Sequence, residues 1–362
     1  MAKKTASKSR SKGPAPTTPS TRQVAKLDRQ IVELLNERAE LIRQRAAKTE
    51  SAGEAVPAAD FSSKNAGPLS DTALRAIFRE IDSGTRAVLE VTRVAFLGPE
   101  YTFSHLAAIE SFGQSAVLTP VGTIASVFEE VERGQADYGI VPIENSTDGR
   151  ITEAMDCLRR TPLRVCREVP LRIHHCLLGK GDRKDVRTVY SKPQALSQCR
   201  NWLSKHLPQA KLTEVASTGE AARRAAKEAG VAAIASLQAG AEHGLGLLAR
   251  NIEDNTENIT RFAVLGAEIA AKTGNDKTSV LLEIDHQPGA LADVMGVFKR
   301  AKLNLTWIES FPIAGQRGRY QFFVEFLGHP TEMRVRKALA SLEKKASRST
   351  VLGSYAQADP IG

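Results

Sequence analysis

From about residue 94 the chain alternates short β-rich runs with helical stretches, and this alternation constrains the fold more than any other feature. The runs VAFLG (94–98), AVLTPV (116–121) and ADYGIVPIEN (136–145) are separated by helical patterns near 104–112 and 124–133. The alternation resumes with HHCLLG (174–179), TVYS (188–191), KLTEVAS (211–217) and VAAIAS (231–236), with helical stretches at 194–207 and 219–230. Strands and helices interleaved in this way predict a mostly parallel sheet covered by helices. Two such blocks predict two α/β lobes, 93–170 with 254–270 and 171–253, facing each other across a cleft of strand ends and helix starts.

The texture changes on either side of these lobes. From Thr278 the order is strand (278–285), helix (290–302), strand (303–312), strand (320–328), helix (333–346) and strand (349–355), a ferredoxin-like βαββαβ plan that predicts a separate domain over 278–356. Upstream, Val24, Leu27, Ile31, Leu34, Leu41 and Ile42 recur at helical spacing between about 23 and 48. A second helix starts at Ser70, a suitable N-cap followed by Asp71 in the first turn, and buries Leu74, Ile77, Ile81 and Val88. The segment 49–69 between them has no amphipathic period and reads as a linker or loop. Residues 23–92 are thus expected to be helical, which makes the whole chain a multidomain α/β protein with a helical N-terminal region.

At 362 residues the chain is too long for one compact domain. No run approaches the roughly eighteen apolar residues of a membrane span, so no membrane partner is expected. The formal net charge of +9 includes seven cations before Asp28, namely Lys3, Lys4, Lys8, Arg10, Lys12, Arg22 and Lys26, which leaves about +2 for the rest. That remainder predicts no basic face for nucleic acid. The Ser-, Thr-, Pro- and Lys-rich residues 1–22 read as a disordered tail, with a transit peptide the weaker option and no secretory signal. Cys157, Cys166, Cys176 and Cys199 lie 9, 10 and 23 residues apart, without metal-site spacing, and read as reduced thiols of a cytoplasmic protein.

Three polar clusters fall where strands end: PIENSTDG (142–149), SKPQALSQC (191–199) and NITRF (258–262). Each alone reads as a capped turn. Together with GPEYTFSHLAA (98–108), in this order, they resemble the prephenate dehydratase family. Residues 278–355, with PGAL (288–291) and ESFP (309–312), resemble the ACT regulatory domain attached to it. The two-lobed, periplasmic-binding-protein-like fold of that family would then carry out its reaction, loss of water and carbon dioxide from prephenate to give phenylpyruvate, without a cofactor or metal.

The resemblance implies specific roles. Thr260 would lie beside the departing hydroxyl, with Asn145, Ser191 and Gln198 as further catalytic polar residues. Arg261, followed by Phe262 in the substrate site, would either neutralise a substrate carboxylate or form a structural ion pair. Backbone amides at Thr102 to Ser104, and at Ser146, Thr147 and Gly149, are expected at helix starts, where they suit an anion. His174 and His175 open an apolar strand, so at most one can face the cleft, and a core or hinge role is expected. Phenylalanine, the expected effector, would bind between the amides of Gly289, Ala290 and Leu291 and the strand residues Glu309 and Ser310, across a paired domain. Phe311 stands where the family usually has arginine.

LDRQIVELLNERAELI (27–42) and FREIDSGTRAVLE (78–90) resemble the first and last helices of all-helical chorismate mutases. Arg38 matches a substrate arginine of that family, but Arg22, Lys48 and Glu90 are each one residue out of register, and 49–69 replaces the middle helix. The region reads as a shortened, inactive mutase remnant that serves a homodimer or homotetramer together with the ACT domain. A bifunctional enzyme is the alternative. A silent amino-acid sensor is the second, against which the intact polar clusters argue.

Overall fold

The computed structural model describes residues 20–48, 65–285, 287–313 and 319–361. The basic tail up to residue 19 and most of the linker, 49–64, lie outside the described residues, as does the segment on which a missing middle mutase helix would be judged. The chain divides into two compact units, residues 1–74 and 75–362.

In the first unit α1 (Thr21–Lys48) is one continuous helix. Val24, Leu27, Ile31, Leu34 and Leu41, the apolar stripe at helical spacing, are all exposed on it, as are Ile77 and Val88 of the stripe expected to be buried on the second helix. Arg38 is half-buried. The second helix, α2 (Asp71–Leu89), runs into the second unit, where Glu80 and Ser83 accept the backbone amides of Gln114 and Ser115.

The second unit continues in chain order with β1 (Arg93–Leu97), α3 (Phe103–Phe112), β2 (Val117–Val121), α4 (Ile124–Glu132), β3 (Tyr138–Asn145), β4 (Gly149–Arg150), α5 (Thr152–Leu158) and β5 (Arg164–Arg172). A second sheet is then built from β6 (Cys176–Gly179), β7 (Thr188–Ser191), α6 (Pro193–Gln198), α7 (Arg200–His206), β8 (Lys211–Glu214), α8 (Thr218–Ala225), β9 (Val231–Ala235), α9 (Leu237–Glu242) and β10 (Gly246–Ala249). The chain returns to the first sheet as β11 (Ile259–Gly266). It closes with β12 (Asp276–Ile284), α10 (Ala290–Ala301), β13 (Leu305–Pro312), β14 (Tyr320–Leu327), α11 (Met333–Lys345) and β15 (Arg348–Ala356).

The expected mostly parallel sheets are mixed. In the first, β1 is parallel to both β2 and β3, but β11 is antiparallel to β3 and to β5. The reason is topological. The chain leaves the first sheet at Arg172 and comes back at Ile259, its register partner, so β11 must run against β5. In the second sheet β7, β8 and β9 are parallel while β6 and β10 are not. The helix predicted over 194–207 is broken at Cys199, because the Asp254 carboxylate, arriving on the return crossing, accepts the amides of Asn201 and Trp202 and caps a new helix there.

The C-terminal elements follow the predicted βαββαβ order, with strands arranged β13-β14-β12-β15. Val280, Leu282, Val294, Phe298, Val324, Phe326, Val335 and Leu342 form a core between this sheet and its two helices. The opposite face is not free, in contrast to the expected separate domain. Leu281, Phe311, Phe323, Leu352 and Tyr355 share one apolar cluster with Val127, Phe128, Met155 and Leu158 of α4 and α5. The two sheets meet edge to edge where Gly353 pairs with Val165. A Cβ at residue 353 would lie 2.1 Å from the Val165 carbonyl oxygen, so only glycine permits the approach.

Candidate active site

Three strand ends define the site: β3 finishes at Asn145, β5 at Arg172, and β11 begins at Ile259. Asn145 and Thr260 are register partners at this end. The Asn145 Nδ2 donates to Thr260 Oγ1 (2.8 Å) and to Asn258 Oδ1 (3.0 Å), while its Oδ1 accepts the amides of Thr147 (3.0 Å) and Asp148 (3.1 Å). Every polar atom of this buried amide is therefore spent on orientation. Because the threonine oxygen is an acceptor in that bond, its own hydrogen is left for whatever occupies the cavity.

That cavity, about 170 Å³, lies between the two sheets. From the first sheet and its helices it is lined by Thr102, Phe103, Ser104, Asn145, Thr260 and Phe262. The second contributes Lys192, Gln194, Gln198 and residues 216–218. Gln198 closes a polar circuit: its Nε2 donates to Asp148 (3.0 Å), and its Oε1 accepts from Asn258 Nδ2 (3.2 Å) and His175 Nε2 (3.0 Å). Gln194 Nε2 also donates to Asp148, so one carboxylate from the first sheet ties down α6 of the second.

Two helix starts open on the cavity. Thr102 N-caps α3, and Ser217 N-caps α8 from the other side by accepting the Glu220 amide at 3.0 Å. Both starts favour an anion. Burial lowers the pKa of His175, which keeps it neutral, and burial likewise lowers that of Lys192 against the opposing pull of Asp148.

The structure thus brings together Thr102, Ser104, Asn145, Gln198, Thr260 and Phe262 of the expected site. It does not bring in the others. Ser191 is fully buried and donates to the Ile234 carbonyl (2.7 Å), fastening β7 to β9 behind the cavity wall. Ser146 accepts the Ile259 amide (2.9 Å), joining two strand ends. Thr147 spends its amide on Asn145 and its hydroxyl on Asn258 (3.3 Å). Gly149 turns with φ +82° into β4. Residues 146–149 form a turn rather than a helix start, and the Thr147 and Asp148 amides already serve Asn145, so they offer no anion site.

Arg261 is the clearest correction. Side chains alternate along β11, so Thr260 and Phe262 face the cavity and Arg261 faces the C-terminal sheet. There its guanidinium pairs with Glu144 (2.9 Å), Glu168 (2.8 Å) and Glu325 (2.7 Å), and lies over the Trp307 ring. Lys277 pairs with Glu168 (3.0 Å) and the Tyr355 hydroxyl donates to Glu325 (2.8 Å). Of the two roles open for Arg261, the structural ion pair is the one present.

Several site residues escaped the sequence reading. Asn258 and Asp148 lie within the NITRF and PIENSTDG clusters themselves, where their polar character was the available signal. His175 lines the cavity, whereas His174 sits at the crossing between the sheets, with Nδ1 2.8 Å from the buried Glu253 carboxylate. Residues 216–218 carried only the helix-cap signal of Ser217.

In the C-terminal sheet Gly289 adopts φ +83° ahead of α10. Ala290 and Leu291 line a second cavity of about 110 Å³ with Asp285, Tyr320 and Phe322. The Ala290 amide is spent on the Gln287 carbonyl at 3.2 Å, which removes one expected donor. Within one chain Glu309 and Ser310 do not line this cavity, and Glu309 pairs with Arg150 beside the active-site turn. Phe311 is buried, with the guanidinium groups of Arg150 and Arg159 5.0 and 5.1 Å from its ring.

Fold and site together define an α/β cleft protein whose cavity offers hydrogen-bond donors, the Thr260 hydroxyl among them, to a small ligand. Residues 94–270 match the family model described as prephenate dehydratase. Over 351 residues the chain is 37% identical to the bifunctional chorismate mutase/prephenate dehydratase of Stutzerimonas stutzeri, covering 93% of this chain and 96% of that protein. Among solved structures, the prephenate dehydratase of Arthrobacter aurescens in complex with L-Phe superposes with a TM-score of 0.69 at 34% identity, over 74% of this chain and 90% of that one. GqqA, described as a novel type of quorum quenching acylase, superposes with a TM-score of 0.68 at 28% identity over 74% of this chain and 98% of its own. The chain belongs to the prephenate dehydratase family.

Proposed function

We propose that this cavity converts prephenate to phenylpyruvate, with Thr260 as the donor to the departing hydroxyl and Asn145 as the residue that aims it. The ring gains aromaticity when carboxylate and hydroxyl leave, so the reaction needs orientation and help for a poor leaving group more than it needs a strong base. The C–C bond to the ring carboxylate breaks and its electron pair enters the ring. The C–O bond breaks in turn, and the oxygen takes up a proton and leaves as water beside carbon dioxide. A threonine hydroxyl is too weak an acid to give up its proton outright at neutral pH. It acts as a positioned hydrogen bond that strengthens as charge builds on the departing oxygen, with the proton drawn finally from water. The observation that carries this reading is the Asn145 Nδ2 to Thr260 Oγ1 bond of 2.8 Å, which fixes the oxygen and frees the hydrogen. Since an acylase shares the fold, the residues rather than the topology bear the argument.

The C-terminal βαββαβ unit is read as an ACT domain that binds phenylalanine as feedback inhibitor. Support comes from the left-handed Gly289 at the start of α10, the cavity beside Ala290 and Leu291, and the L-Phe complex of the Arthrobacter relative. The exposed apolar stripe of α1 supports a homo-oligomer formed through the helical region. Among the described residues no helix is long and apolar enough to cross a membrane, and a cytoplasmic location is proposed.

A second reading retains chorismate mutase activity. It is favoured by the likeness to a bifunctional relative over 93% of the chain, which reaches beyond residues 94–270. One assay separates the two: purified protein is incubated with prephenate and, separately, with chorismate, while phenylpyruvate and prephenate are followed. Phenylpyruvate from prephenate alone supports the first reading. Conversion of chorismate above the uncatalysed rate establishes the second.

A further inference from the structure

A substrate with two carboxylates brings two negative charges into the cavity, and charge taken out of water needs a partner. The cation that the sequence offered, Arg261, is turned away and held by three glutamates. Among the described residues that line the cavity, Lys192 is the sole lysine, arginine, aspartate or glutamate. It stands half-buried at the start of α6 and has no ion-pair partner among the described residues. The nearby carboxylate of Asp148 receives the amides of Gln194 and Gln198 on one of its oxygens and makes no ion pair with Lys192. His175 adds no charge, since burial keeps it neutral.

We propose that Lys192 anchors the substrate by its pyruvyl carboxylate, the one that survives the reaction, and leaves the ring carboxylate to the apolar part of the lining. This rests on the dehydratase reading above. The choice between the carboxylates follows from where charge goes. The ring carboxylate ends as neutral carbon dioxide, so a cation on it would bind the ground state better than the transition state and slow the step. The pyruvyl carboxylate keeps its charge throughout, so a cation there adds affinity at no cost to the chemistry. Phe103, Ile151, Ile173 and Phe262 form the apolar part of the wall and present no charge to the carboxylate that must leave.

The test uses the full-length enzyme and the variants Lys192→Met, Lys192→Gln and Lys192→Arg, with folding checked by circular dichroism. KM and kcat for prephenate are measured beside the affinity for phenylpyruvate, the product that retains only the pyruvyl carboxylate. The proposal predicts that in the two neutral variants KM for prephenate and Kd for phenylpyruvate rise together by about tenfold or more, while kcat stays within about threefold and Lys192→Arg recovers part of the loss. It predicts too that kcat/KM of the wild type falls as pH rises, at a lower pH than an ordinary lysine would give, and that Lys192→Met lacks this fall. A rise in KM with unchanged phenylpyruvate affinity would put the cation on the ring carboxylate and overturn the assignment. Unchanged values for both ligands overturn Lys192 as anchor. If the wild type fails to convert prephenate, the dehydratase reading itself falls. Calorimetry with phenylpyruvate still decides whether Lys192 binds such a carboxylate.

Discussion

Thr260 and Arg261 are adjacent in β11 yet face opposite ways, the hydroxyl into the cavity beside Asn145 and the guanidinium into a carboxylate cluster that includes Glu325 of the C-terminal sheet. Their partners repeat the alternation, because Glu144 precedes Asn145 on β3 and pairs with Arg261. One pair of neighbouring strands therefore presents the site on one face and its attachment to the C-terminal sheet on the other.

Breaking that attachment should cost stability rather than substrate binding. Arg261→Met leaves three glutamates with only Lys277 nearby, and removing one partner from a buried ion cluster typically costs about 3–5 kcal/mol. We expect a loss of that order in urea unfolding, with KM for prephenate unchanged wherever the variant is folded. A large rise in KM at native stability would return Arg261 to the substrate site.

The same cluster sets an acid limit. Burial alone would raise the Glu325 pKa, but Arg261 and Lys277 outweigh it and hold the carboxyl below its ordinary range. A depressed folded-state pKa contributes stability that is present above the unfolded value and lost as pH falls through the folded one. Unfolding free energy should therefore drop as the pH falls below the normal glutamate range, and Glu325→Gln should flatten that part of the profile. Parallel profiles for wild type and variant would show that Glu325 does not contribute.

Gly353→Ala should loosen the seam between the sheets. Its Cβ would meet the Val165 carbonyl at 2.1 Å, and such overpacking costs about 1–3 kcal/mol or separates the strands. Hydrogen exchange of the β15 and β5 amides would show it as faster exchange confined to that edge. Unchanged protection would mean that the strands do not meet there.

Much of this architecture was legible beforehand, and the failures have physical causes. The strands β1, β7, β9 and β14 follow from β-branched and apolar runs, whereas Asn145, Gln198 and Thr260 were singled out by the likeness of their polar clusters to a known family, since each cluster alone reads as a capped turn. β5 was missed because RVCREVPLR mixes charged with apolar residues, and its Arg167 and Glu168 find partners only after folding. The orientation of Arg261 depended on which sheet would cover the far face of β11, something a local pattern does not carry. Ser191 has the residue type of a site group, but it ends a strand one layer behind the cavity, and sequence spacing does not distinguish depth.

Effector binding offers an independent check. Phenylalanine should inhibit turnover with a coupling of about 1–3 kcal/mol. Gly289→Val forces a β-branched residue to φ +83° and should weaken phenylalanine binding while dehydratase activity persists. Calorimetry that detects no phenylalanine binding to the wild type, or equal binding to the variant, contradicts the proposed site.

The most direct measurement compares phenylpyruvate formation from prephenate by the wild type, Thr260→Ala and Thr260→Ser. If the hydroxyl aimed by Asn145 assists the departing oxygen, the alanine variant should lose about 10² or more in kcat with its fold intact, and the serine variant should recover much of it. Equal turnover by wild type and Thr260→Ala would remove Thr260 from the chemistry and with it the account of this site.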